Sequence, residues 1–75
     1  MSPENRKRIQ EAVSEAGDYL KDKLTSLIGH PERNAYAHLW KGIKTEMNVD
    51  SYKDCNDSDV DVILSIVAKM RANPN

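Results

Sequence analysis

The stretch IQEAVSEAGDYLKDKLTSLIGHP, residues 9–31, decides how this chain folds. It reads as one long helix or two short ones, depending on Gly17. Apolar residues recur at Ile9, Val13, Ala16, Leu20, Leu24 and Leu27, with Ile28 alongside. The steps are 4, 3, 4, 4 and 3, the stripe of an amphipathic helix. Two successive fours drift off the seam of a strict coiled coil. Gly17 costs a helix interior about 1 kcal/mol. The stripe passes across it in phase, so one helix is expected over 3–28. Upstream, Ser2 suits the N-cap, Pro3 the first helical position and Glu4 the positive end of the dipole. Downstream, Gly29 suits the C′ position.

Such a helix is about 39 Å long. A compact chain of this size has a radius of gyration of about 11 Å, hence a diameter of about 30 Å. The helix should overhang its own domain. An overhanging amphipathic helix frays or packs on a partner, so a homodimer or larger oligomer is expected, with Val13, Leu20 and Leu24 as its self-association residues.

Beyond the corner, HPERNAYAHLWKGIKTEMN, residues 30–48, reads as a second helix. Pro31 turns His30 away from helical geometry and starts the new helix at its own position. The Gly29-His30 link favours an antiparallel hairpin or a sharp corner. Ala35, Leu39, Gly42 and Ile43 share a face that Met47 extends. Tyr36 and Trp40 form an i, i+4 pair beside it. The small Gly42 invites close approach of another helix. The second helix is expected over 31–47.

The polar segment NVDSYKDCND, residues 48–57, follows. It reads as a loop, 48–56, pinned to the core by Val49 and Tyr52, with room for a short extended piece between them. It is too long for the tight turn of a helix-turn-helix. Asn56, Asp57 and Ser58 are good caps for a third helix over 57–71, and Asp59 and Asp61 suit its first turn. Val60, Ile63, Val67 and Met70 form its stripe, widened by Val62, Leu64 and Ile66. As the most apolar helix it is expected at the centre. The expected fold is all-α: three helices, the first long, with a loop of about ten residues before the last.

The totals agree. The chain has 75 residues with 39% hydrophobic and 31% charged side chains, which fits one small folded domain. A chain this short buries only about 60% of its unfolded surface, which leaves no room for a separate catalytic domain or a large cofactor cleft. The net charge of −1 gives no bulk attraction to nucleic acid or membrane. Lone Cys55 forms no internal disulfide and fits a reducing cytosol. No apolar run approaches the roughly 18 residues of a membrane span, and the polar N-terminus carries no secretory signal. A cytoplasmic protein is expected.

Candidate chemistry is sparse. His30, His38 and Cys55 lack metal-site spacing, so no metal is expected. Cys55 with a histidine lacks the glycine-rich oxyanion turn of a nucleophile pair. The Asp cluster at 54–61 lacks the ligand order of a calcium loop, and capping explains it. No catalytic or cofactor-binding residue is assigned, and an enzyme is the least favoured class. Arg33, Lys41 and Lys44 lie near one side of the second helix. With Tyr36 to stack and Trp40 beside it, they form the candidate interaction surface.

The stretch HPERNAYAHLWKGIKTEMNVDSYKD, residues 30–54, resembles the carboxy-terminal domains of phage and prophage antirepressor-type regulators. Those domains show an Arg-Asn at a helix start, an aromatic, a Leu-Trp pair, a basic helix, then V-x-S-Y-K-D before a last helix. The matching residues are Arg33, Asn34, Tyr36, Leu39, Trp40, Ile43, Lys44, Met47, Val49, Ser51, Tyr52, Lys53 and Asp54, within a resemblance over about residues 30–70. The family often has Phe at the position of Met47 and an apolar-Pro pair at Cys55-Asn56. One long helix stands where its DNA-binding domain would be. The resemblance implies a helical accessory module for oligomerisation or partner contact in a phage-derived regulator, with no catalytic residue. Two other readings stand beside it. One is a nucleic-acid-binding module using the basic face of the second helix. The other is a small phage inhibitor that masks a host protein, its Asp-rich segment imitating nucleic acid.

Overall fold

The computed structural model describes residues 1–28 and 35–73; the side chains of residues 22–28 lie outside that set. Several expectations fall beyond it: the role of Gly29, the corner from His30 to Asn34 with the helix start at Pro31, Arg33, and the side chain of Leu24. Within it the chain is all-α. Helix α1 spans Pro3–Ile28, α2 Ala35–Met47 and α3 Val60–Ala72. Two single 3-10 turns, Tyr52–Asp54 and Asp57–Asp59, lie between α2 and α3. The extended piece considered near Val49–Tyr52 is absent among the described residues. Ser51 Oγ instead accepts the Lys53 N–H at 3.3 Å and closes a 3-10 turn.

Helix α1 is continuous through Gly17. Ser2 caps it as expected, its Oγ accepting the Asn5 N–H at 3.3 Å. Helix α2 stops where its sequence stops being helical. Asn48 adopts φ 55°, and its N–H donates to the Thr45 carbonyl at 3.3 Å. The Val49 N–H donates to the Lys44 carbonyl at 3.0 Å. These two bonds make a Schellman end, with Asn in the left-handed position. The expected start of the third helix near Asp57 is a 3-10 turn, in which the Asn56 N–H donates to the Asp59 carboxylate at 3.0 Å. True α geometry begins at Val60.

Each helix packs against the other two. The core takes Ile9, Val13, Ala16 and Leu20 from α1, Ala35, Leu39 and Ile43 from α2, and Val60, Ile63 and Val67 from α3. Tyr52 and Cys55 close it from the loop. Two expectations change here. Val13 and Leu20 are 2% and 0% exposed within a single chain. They are already covered by α2 and α3 and cannot serve as an outward self-association face. Nor is α3 central: three mutually packed helices have no middle member, and Val62 stays 51% exposed.

The two glycines inside helices are packing positions. The Tyr36 ring lies where a Gly17 side chain would be, and the Met70 thioether lies where a Gly42 side chain would be. Gly42 does admit a neighbouring helix, and the neighbour is α3. Arg71 ties α3 back to α1. Its Nη2 meets Glu15 Oε1 at 3.2 Å, and its guanidinium sits 4.1 Å from the Tyr19 ring centroid.

Candidate interaction surface

Of the residues expected to form one basic, aromatic face, the two aromatics are engaged within the chain. Tyr36 turns toward α1. Its ring rests on Gly17 and its hydroxyl donates to the Asp18 carboxylate. That bond, then partial burial and the Asp18 charge, raises the Tyr36 pKa above its ordinary value. Trp40 is half-buried and stacks on Tyr52, with ring centroids 4.9 Å apart and planes 29° apart. The Tyr52 hydroxyl oxygen accepts from Gln10 Nε2 at 2.7 Å. This chain of contacts joins α2, the loop and α1. Both aromatics are therefore cement within the chain, and one face of each ring is already taken.

Lys44 lines a depression with Trp40, Asp50, Ser51 and Tyr52. Lys41 opens onto a different hollow, with Ala37, Thr45 and Met70. Lys41 and Lys44, three positions apart, remain neighbours on the α2 surface, and Arg33 lies outside the described residues. The Asp cluster is dispersed in role. Asp57 Oδ1 accepts the Ser2 N–H at 2.6 Å and Asn5 Nδ2 at 3.0 Å. The backbone N–H first, then the Asn5 amide, hold its carboxyl below the usual carboxylate range. Asp59 holds the turn at Asn56. Two of the cluster's four aspartates thus fasten the start of the last helix.

Among the described residues, no reactive pair assembles either. Cys55 is buried, and burial, then the charges of Asp59 and Asp54, push its thiol pKa up. A raised pKa means less thiolate, the opposite of what a nucleophile needs. His38 lies elsewhere, in a groove between α2 and α3. Among the described residues, no three His, Cys, Asp or Glu side chains gather as a metal site. No helix among them is long and apolar enough to cross a membrane.

What sequence reasoning missed is the outer side of the α2–α3 seam. A shallow depression there is lined by Glu46 and Met47 of α2 and by Asp61, Val62, Ser65, Ile66 and Lys69 of α3. It runs into the groove floored by Gly42 and Met70. Val62 is exposed, while Met47, Ile66 and Met70 are only partly covered. Apolar side chains thus line this shallow surface, rimmed by charge of both signs. The signal was present in the sequence. Val62 and Ile66 widen the α3 stripe beyond what one core-facing side requires. That surplus suggested a central helix; in the fold it faces outward.

Comparison with models of known protein families, with characterised proteins and with solved structures finds no match.

Proposed function

We propose that this chain is a non-enzymatic protein-interaction module of a cytoplasmic, phage-derived regulatory protein. One observation carries the interaction reading: Val62, Ile66, Met47 and Met70 form an apolar surface that the chain's own helices leave partly open. Apolar surface grouped inside a polar rim is the usual mark of a protein contact. The regulatory and phage context is supported by the resemblance of residues 30–54 to the accessory domains of antirepressor-type regulators.

The competing reading is a nucleic-acid module on the basic face of α2. It uses Tyr36 with Arg33, Lys41 and Lys44, and one face of the Tyr36 ring is already taken by Gly17. Anisotropy of labelled single- and double-stranded DNA, titrated at low and physiological salt with Trp40 emission in parallel, separates the two. The expected result is no binding even at low salt. Binding that weakens steeply with salt, as counterion release demands, and that shifts Trp40 emission would replace the interaction reading with the nucleic-acid one.

A further inference from the structure

We propose that the outer face of α3 binds the α3 of a second copy of this chain, antiparallel, about a two-fold axis near Ser65–Ile66. This rests on the interaction-module reading and names the partner. The argument is the order of charges along the face. Asp61 and Lys69 lie in the same depression, with Val62, Ser65 and Ile66 between them. Ser65 is midway between Asp61 and Lys69 in sequence, and Ile66 midway between Val62 and Met70. An antiparallel second copy therefore sets Asp61 against Lys69 twice and Val62 against Met70 twice, with Ile66 meeting its own counterpart at the axis. A parallel copy would oppose acid to acid and base to base. The face is self-complementary in one direction only, as an isologous contact requires.

Neighbouring groups fit the same geometry. Ser65 is small and exposed, so two helices can approach closely at the axis. Glu46 adds a second acid on the α2 wall of the depression, within the reach of a partner's Lys69. Helix α3 has 13 residues, about 20 Å of helix. A contact of that length is at the small end of stable interfaces, so the dimer should dissociate on dilution.

The test is sedimentation velocity of the full chain over a wide concentration range, with four variants. The wild type should pass from monomer to dimer as concentration rises. Val62→Asp should abolish the dimer. Asp61→Lys and Lys69→Asp should each weaken it at least tenfold, since each places like charges together twice. The double variant Asp61→Lys with Lys69→Asp should recover the dimer. It carries the helix-dipole penalty of both single variants, so recovery reports pairing and nothing else. Far-UV circular dichroism at low concentration checks that each variant folds. A wild type that stays monomeric at every concentration overturns the proposal. So does a dimer indifferent to Val62→Asp, or one that the double variant fails to restore. The two readings fail separately. A monomer that ignores DNA removes the self-contact and leaves the interaction module. A dimer that binds DNA with a steep salt dependence removes the module and leaves the contact.

Discussion

The two flanks of α2 are built to different standards. Toward α1 and the loop, aromatic rings with polar ends close the seam. Tyr36 lies on Gly17 and bonds Asp18, while Trp40 stacks on a Tyr52 that is bonded to Gln10. Toward α3, the outer seam is closed by a flexible thioether over Gly42 and leaves Val62 exposed. A ring with a hydrogen bond at its tip has one acceptable position. A methionine side chain has several. The first flank fixes the fold; the second leaves surface over for something else.

Matched substitutions sharpen this contrast. Gly17→Ala should have the largest effect. Its new methyl meets ring carbons of Tyr36, and the ring cannot retreat without leaving Asp18. We expect a loss of about 1–3 kcal/mol from overpacking, outweighing the gain of about 1 kcal/mol in helix propensity. In a Tyr36→Ala background the same change should become stabilising. Urea denaturation of the four proteins in that cycle decides it, and additive effects would mean that the ring does not depend on the glycine. Next comes Tyr52→Phe, which removes the acceptor of Gln10 while leaving the Trp40 stack. A loss of about 1 kcal/mol is expected, with near-ultraviolet circular dichroism largely unchanged.

The third prediction concerns pH. Asp57 is held below its ordinary pKa, so its stabilisation is fully present above the usual carboxylate range, near about pH 4. It is lost as pH falls through the lower, folded value. Asp57→Asn should lower Tm at neutral pH, and the gap to wild type should narrow on acidification toward about pH 2. A gap that is constant with pH would mean that the charge contributes nothing. The smallest effects belong to the open flank. Gly42→Ala meets only the movable end of Met70. It should leave stability unchanged or raise it by up to about 1 kcal/mol. Val62→Lys, measured at low concentration, should stay within about 0.5 kcal/mol. If it unfolds the protein, the face is not a surface.

Much of the fold is legible in local pattern. The α1 stripe passes Gly17 in phase, Ser2 caps it, α2 ends before Asn48, and Tyr52 pins the loop. Each of these is a local or single-face property. The misplaced residues depend on who covers whom. Val13 and Leu20 looked available because helix length alone suggested an overhang, yet α2 and α3 bury them. Tyr36 looked like a stacking platform because its partner, Gly17, lies nineteen positions away in sequence. The outer face of α3 was misread because surplus apolar residues are compatible with a central helix and with an uncovered one. Only the three-way packing distinguishes them.

The bond from the Ser2 backbone to Asp57 joins positions 55 residues apart. A contact with that much intervening chain closes a long loop, and its entropy must be met by contacts made earlier. Ser2–Asp57 should therefore be among the last native contacts to form and the first to open. Chevron analysis of Asp57→Asn should show faster unfolding and an unchanged folding rate. On that outcome the latch would slow the loss of the folded chain and have little influence on how quickly it is reached.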